Sequence, residues 1–447
     1  MVSQMRLPAS RELAETLGVS RNTVVRAYDQ LYAEGYIEGR TGDGTYVAEL
    51  GSGVPAALPS RLAVQIPQVL QARLKAYGPG APRKGPPRAF RLGLPAFDLF
   101  PFDVWSRLQA QFWRAPGPEQ LGYGEAAGDR RLREMIAAYL RNGRGLRCTP
   151  EQVLVTSGAQ QAISLCSQLL LQPGDSVAVE NPCYRAAAQT FAVAGARLRG
   201  ITVDEDGMDT RQLAALHGCR LAYVTPSHQY PSGVTLSLAR RLELLEWAER
   251  SQAWIIEDDY DGEYRYSGAP LATLASLDRQ GRVLYVGTFS KVLFPALRLG
   301  YLVAPPALVE PLTQLRTLNV RHSEVGNQAV LAEFIAAGHF QRHIRRMRRA
   351  ARSRLDALIR DWPGAEAGVE LPMVQAGLHV CVPLPSLARE RELLKKAAAV
   401  GVELSALSDY CLAEPGQAPR AGLVLGFAGV DEQQVEQALE RLREAWR

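Results

Sequence analysis

From about residue 92 onward, short apolar runs alternate with amphipathic ones, and no other feature of the chain restricts its fold as much. The runs QVLVTSG, SVAVEN, LAYVTPS, AWIIEDD and RVLYVGT read as strands, and segments such as QQAISLCSQLLL read as helices. Alternating β and α segments argue for an α/β domain, a mostly parallel sheet covered by helices. In such sheets ligands bind outside the carboxyl ends of the strands. No internal repeat interrupts the pattern. A chain that is 47% hydrophobic and 22% charged has the apolar surface for a buried core, which excludes global disorder.

Ahead of this domain the composition changes. Residues 51–91 carry seven bases and no acids, and are rich in Gly and Pro, as in GSGVPAALPSR and YGPGAPRKGPPR. Such a stretch predicts a basic linker, with one short helix near 61–75. Residues 1–50 differ again, with five Arg against seven acids. Here Ser10 is placed to cap a helix bearing Leu13 and Leu17, with Gly18 at its end. Ser20 is placed to cap a second helix, with Val24, Val25, Tyr28, Leu31 and Tyr32 along one side and Gly35 after it. Two helices joined by LGVS form a helix-turn-helix, whose second helix enters the major groove by its first turn. That turn carries Arg21, Asn22 and Thr23, with Arg26 one turn on and Arg11 on the preceding helix. Arg suits guanine edges or phosphates, and Asn suits adenine. YIEGR and TYVAE flank TGDG and predict a hairpin, a wing resting on the DNA backbone. Asp43 in its turn is unfavourable toward phosphates.

Chemistry-bearing residues gather at the expected strand ends. VLYVGTFSK ends in Lys291, and Arg298 follows in SKVLFPALRLGY. The strand AWIIED runs into Glu257, Asp258 and Asp259, then Tyr260. TSGAQQA, residues 156–162, joins a strand to a helix, and its small residues let backbone N–H groups meet an anion. A lysine, an acid, a phenol and a phosphate cradle are what pyridoxal phosphate requires. The lysine forms a Schiff base with its aldehyde, the acid keeps the ring nitrogen protonated, and the phenol hydrogen-bonds the 3′-oxygen.

These motifs carry two resemblances. Residues 6–48, RLPASRELAETLGVSRNTVVRAYDQLYAEGYIEGRTGDGTYV, resemble the winged helix of GntR-superfamily regulators. Those domains hold another helix before RLPASR, so the winged helix is expected here without its first helix. Residues 90–447 resemble fold-type I, aspartate aminotransferase-like enzymes, through LGYGEAAGDRRLR, VTSGAQQA, ENPCY, VTPSHQYPSG, IEDDYDGEYRY, VGTFSKVLFPALRLGY and GHFQRHIRRMRR. Together the two parts resemble the MocR-type regulators over nearly the whole chain. The resemblance implies residues 1–50 as winged helix, 51–91 as linker and 92–447 as the cofactor-binding domain. It implies Lys291 as the Schiff-base lysine, Asp258 as partner of the pyridinium and Tyr260 as donor to the 3′-oxygen. Ala159, Gln160, Thr288 and Arg298 would surround the phosphate. Tyr184 would stack on the ring, and Tyr123 would reach the phosphate of a second subunit in a homodimer.

Other residues read more plainly. Asp259 and Asp261 read as solvated or as local caps, while His228 and Gln229 read equally as pocket lining or as structural. The seven arginines between 342 and 354 read as a domain or dimer interface rather than a DNA patch. The site departs from ordinary aminotransferases in two places. Tyr230 precedes Pro231 where an Asn is usual, and Val424 stands where an Arg usually clamps the substrate carboxylate. Slow or absent turnover of common amino acids is therefore expected. No apolar run approaches the ~20 residues of a membrane helix, and the N-terminus has no signal-peptide core. Six scattered cysteines without a CxxC pair suggest a reducing cytosol, with neither a disulfide framework nor a metal site. The expected protein is a cytoplasmic, pyridoxal phosphate-dependent, DNA-binding transcription regulator that senses the cofactor or an amine. Two alternatives stay open: an active aminotransferase with a vestigial winged helix, and a non-catalytic cofactor-binding protein whose DNA contacts need a partner or a longer start.

Overall fold

The structure is a computed structural model describing residues 4–49, 67–77, 85–268, 271–413 and 418–447. It divides into two compact units, Met1–Pro67 and Gln68–Arg447.

In the smaller unit the helices Ser10–Leu17 and Arg21–Ala33 precede a hairpin of β1 (Ile37–Arg40) and β2 (Gly44–Val47). The residues before the first helix run along β2, with Leu7 N–H donating to Thr45 O at 2.8 Å and Val47 N–H to Met5 O at 2.9 Å. Leu7, Ile37 and Val47 form a small core with Tyr28 and Leu31 against it. Two expectations are corrected. Ser10 is the first helical residue, and the N-cap is Ala9, which has no side-chain oxygen to offer. Leu17 and Tyr32 are each 61% exposed, because the helices turn Ala14 and Val24 inward instead. Ser20 does cap the second helix, accepting from Thr23 N–H, and Gly18 takes the left-handed conformation that ends the first.

The larger unit is built on eight strands: β3 (Val153–Thr156), β4 (Ser176–Asn181), β5 (Arg197–Asp204), β6 (Gly207–Met208), β7 (Cys219–Val224), β8 (Trp254–Asp259), β9 (Val283–Thr288) and β10 (Gly300–Val303). Their order is β3-β10-β9-β8-β7-β4-β5-β6. The central pairs are parallel, β10 runs antiparallel between β3 and β9, and β6 is an antiparallel edge. Val177, Val179, Leu221, Ile256 and Leu284 pack on one side with Ile163, Cys166 and Phe191 from helices. Ala178, Ala222, Val224 and Ile255 pack on the other with Leu244, Trp247 and Ala248. Both faces are therefore covered, which is why these strands are continuous apolar runs. A second sheet, β11 (His379–Pro383), β12 (Ser405–Ala406) and β13 (Gly422–Gly426), has the order β11-β13-β12.

Of the stretch read as linker, residues 51–66 and 78–84 lie outside the described residues. Its helix is Gln68–Tyr77. Its last residues are built into the larger unit: Phe90 is fully buried, its carbonyl accepts from Gly426 N–H at 3.0 Å, and Arg91 pairs with Glu403 at 2.9 Å. The arginine-rich helix His339–Asp361 packs inside this unit as well. Arg354 is 2% exposed and bonded to Asp98 and the Ala428 carbonyl, both at 2.7 Å, and Arg346 donates to Leu99 O at 3.2 Å. No helix among the described residues is long and apolar enough to cross a membrane.

Candidate functional site

Successive residues of a strand point to opposite faces, and this separates the three acids of β8. Glu257 accepts from Leu274 and Ala275 N–H at 2.9 and 2.8 Å. Asp259, on the same side, is paired with Arg144 and accepts from Tyr285 Oη at 2.5 Å. Asp258 points the other way, into a cavity of about 260 Å³. Asp259 is thus no solvated residue but one 7% exposed in a buried ion pair, and Asp261, at 2%, is buried against His228. Both correct the sequence reading. Tertiary packing, not the local sequence, buries these two acids.

The cavity lies beyond the carboxyl ends of the strands. Lys291, Asp258, Tyr260, Ala159, Gln160, Tyr184, Thr288 and Arg298 all line it. Lys291 Nζ donates to Gly93 O at 2.9 Å. Gly93 has φ +76, and a Cβ there would lie 2.7 Å from Nζ, so the backbone approaches this amine as only glycine allows. Burial pulls the Lys291 pKa down, against the opposing charges of Asp261 and Asp258. Asp258 is pushed up to about 7 by burial, while the Tyr223 hydroxyl, donating to its Oδ2 at 2.6 Å, pulls it back down. Its Oδ1 is buried without a partner among the described residues. An ionisable oxygen left this way is costly unless a donor or cation comes to it.

An anion cradle sits a few residues away. Gly158, φ +91, precedes the helix Ala159–Leu170, and a Cβ on it would lie 3.4 Å from the Arg298 guanidinium. Arg298 is itself left-handed, at φ +52, and donates to Ser157 O at 2.5 Å. Backbone N–H groups, a helix start and a guanidinium thus converge. The Gln160 side-chain amide is engaged within the fold, donating to Ala186 O at 3.3 Å and to Thr190 Oγ1. Thr288 Oγ1 accepts from Ser290 N–H at 3.2 Å, shaping the turn before the lysine. Tyr184 lines the cavity edge-on to Tyr230, 5.6 Å between centroids. Tyr123 does not line it. That ring is 77% exposed, with the Arg321 guanidinium 4.0 Å above its centroid.

The departures from an aminotransferase are structural as well. Val424 is fully buried in β13 with Cys381 and Leu407, away from the cavity lining. Arg420 donates to Val203 O at 2.7 Å and Arg185 to Asp409 O at 2.9 Å, so neither turns to the cavity. His228 and Gln229 are 3% and 1% exposed and hydrogen-bonded, lying behind the lining rather than in it.

In the smaller unit Arg11, Arg21, Asn22, Thr23 and Arg26 are all exposed. Thr23 Oγ1 is shared with the Ser20 cap at 2.8 Å, and Arg11 lies 3.7 Å from Glu15. Asp43 accepts from Tyr46 Oη at 2.7 Å.

Comparison with known proteins agrees with this division. Residues 2–47 match the family described as bacterial regulatory proteins, gntR family, and residues 92–442 match aminotransferase class I and II. The chain is 37% identical to the probable rhizopine catabolism regulatory protein MocR of Rhizobium meliloti, over 99% of this chain and 89% of that one. The chain belongs to the MocR-type transcriptional regulators. It is 33% identical to the pyridoxine biosynthesis regulator PdxR of Corynebacterium glutamicum, over 98% of this chain and 90% of that one. The chain superposes on a kynurenine aminotransferase of Pyrococcus horikoshii with TM-score 0.73 and 28% identity, covering 89% of this chain and 98% of that one. The α-aminoadipate aminotransferase LysN of Thermus thermophilus, solved with N-(5′-phosphopyridoxyl)-L-leucine, gives TM-score 0.71 and 30% identity, covering 80% of this chain and 91% of that one. This MocR-type regulator is a DNA-binding, pyridoxal phosphate-dependent protein. The buried Asp258 oxygen, the lysine and the anion cradle fit that cofactor's ring nitrogen, aldehyde and phosphate.

Sequence reasoning missed Tyr223, Gly93 and His379, which also line the cavity. A hydroxyl-bearing ring in the apolar strand LAYVTPS and a lone imidazole in LHVCVP were the available signals. Gly93 had none, because its role exists only where a distant lysine meets it.

Proposed function

We propose that this regulator senses pyridoxal phosphate or an amine that reacts with it, and couples that event to DNA binding by its winged helix. The observation that carries this reading is a cofactor cavity whose lining, among the described residues, holds no guanidinium other than that of Arg298, which turns to the anion cradle. In it, Lys291 is the residue that holds the cofactor covalently, and Asp258 faces the ring nitrogen with its unpartnered Oδ1. Tyr260 donates to the 3′-oxygen, and Tyr184 covers the ring. Ala159, Gln160, Thr288 and Arg298 hold the phosphate. When bound, the cofactor supplies an aldehyde that takes amines and a ring that draws electrons.

The chain's own groups prepare for this. Burial lowers the Lys291 pKa, which favours the neutral, nucleophilic amine. Asp258 gains a cationic partner on binding and loses its desolvation cost. Without an arginine clamp, an amino acid is not held with its Cα–H bond in one orientation, and turnover is slow. The protein acts as a cytoplasmic homodimer, with Tyr123 reaching the partner's phosphate site. Arg11, Arg21, Asn22, Thr23 and Arg26 meet DNA.

A ligand biases such a protein only through different affinities for two states. The test is DNA affinity, by fluorescence anisotropy on a selected site, with and without pyridoxal phosphate and then with added amines. Affinity that ignores both the cofactor and amines refutes the sensor.

A further inference from the structure

Behind Tyr260 lies a group of side chains that determines where its hydroxyl can send its proton. His228 Nδ1 is 2.9 Å from Asp261 Oδ2 and 3.0 Å from Tyr260 Oη. Tyr260 Oη also lies 2.9 Å from the His228 carbonyl, to which it donates. The imidazole is 3% exposed and Asp261 2%. A neutral imidazole carries its proton on one nitrogen, and the partner of that nitrogen selects which. A carboxylate only accepts, so Asp261 holds the proton on Nδ1. Nδ1 is then no acceptor for Tyr260. The phenol oxygen can take a share of that N–H, and its own single proton, given in this structure to the His228 carbonyl, stays clear of Nδ1 and can be turned to another acceptor.

We propose that Asp261 and His228 are positioning residues that keep the Tyr260 hydroxyl a donor toward the cofactor's 3′-oxygen. This rests on the role given to Tyr260 above. If Asp261 is removed, Nδ1 becomes free to lose its proton and accept from the phenol, which draws the hydroxyl away from the cofactor. The titratable groups facing Tyr260 are Asp261, Tyr230, Asp258 and Glu180. The His228 and His379 rings are tilted to one another with centroids 4.7 Å apart; burial holds the His379 pKa well below the usual imidazole value, and its Nε2 donates to Pro231 O at 3.1 Å. Lys291 faces Asp261. Loss of Asp261 therefore has two effects of opposite sign. Removing its charge makes the lysine nitrogen's proton leave at lower pH. Removing the hydroxyl's hydrogen bond leaves more negative charge on the 3′-oxygen, which holds that proton to higher pH.

Two measurements test this. In cofactor-free protein, histidine-selective ¹⁵N NMR reports the His228 tautomer, and we expect Nδ1–H. In loaded protein, the pH midpoint of the cofactor's visible absorption should rise by about half a unit to one unit in Tyr260→Phe. In Asp261→Ala the same lost hydrogen bond is offset by the missing charge, so its midpoint should lie below that of Tyr260→Phe. In the double variant Asp261→Ala/His228→Phe, which has no ring nitrogen to divert the phenol, the rise should vanish and the opposite charge effect remain. An Nε2–H tautomer in the wild-type protein overturns the proposal, and so does a midpoint in Asp261→Ala no higher than in the double variant. Tyr260→Phe without any shift would instead sink the role of Tyr260 itself, while the NMR result stands apart from it.

Discussion

Asp258→Asn should stabilise the cofactor-free protein while weakening its hold on the cofactor. Burial raises this carboxyl from an ordinary 3.8 to about 7. A raised carboxyl favours the fold while protonated. That contribution is complete below pH 3.8 and is lost as pH rises through about 7. At about 1.4 kcal/mol per unit, ionised Asp258 costs the empty fold on the order of 4 kcal/mol in alkaline solution. Asparagine keeps an oxygen for the Tyr223 hydroxyl and carries no charge, but its amide still loses water. We therefore expect about half to be recovered, about 2 kcal/mol. With unfolding entropy of about 2 cal/mol/K per residue over the larger unit, this is about 2–3 °C in Tm. The gap should grow between about pH 4 and 7 and level off above. Glu180, Glu257 and Glu263 are also raised to about 7 by burial, but they are common to both proteins and largely cancel. Cofactor affinity should fall about 10- to 100-fold, the worth of a hydrogen bond to a charged group. The assay is thermal unfolding of cofactor-free protein across pH at one protein concentration, beside absorbance titration with pyridoxal phosphate. A variant that melts below the wild type at pH 8.5, or by a margin independent of pH, refutes the reasoning.

Lys291→Ala should abolish the cofactor's lysine-linked visible band, and borohydride should fix the cofactor to residue 291 in the wild type alone; a variant that keeps the band moves the attachment elsewhere. Arg144→Met should cost about 3–5 kcal/mol in chemical denaturation, because it strands buried Asp259; a loss under about 1 kcal/mol would show that Tyr285 suffices. Arg21→Ala should weaken binding to a selected DNA site by about 1–3 kcal/mol if the side chain reads a base, and unchanged affinity removes it from the interface. Mixed with alanine, glutamate or aspartate and a keto acid, the loaded protein should exchange amino groups slowly or not at all. Rapid turnover over many cycles would restore the aminotransferase alternative.

The parts of this protein legible in its sequence are those encoded locally. Strand and helix periods, the glycines Gly18 and Gly35 after the two helices, and the Ser20 cap depend on neighbours within a few residues, so the winged helix and the alternating α/β order could be read directly. The motifs around Lys291, Asp258 and Arg298 were legible for the same reason: each lies at the end of one strand, where a parallel sheet presents its ligand site. Tertiary structure decided what each local piece faces. Strand pleating sent Asp258 into the cavity and Asp259 toward Arg144, a distinction absent from the letters EDD. The inward turn of Ala14 and Val24, and the exposure of Leu17 and Tyr32, depended on which helix faces the hairpin covered. Gly93 meets Lys291 across 198 residues of chain, and His228 meets Asp261 across 33. Burial, tautomer and charge at such meetings depend on what the whole fold brings within 3 Å, and no short stretch of sequence carries that information.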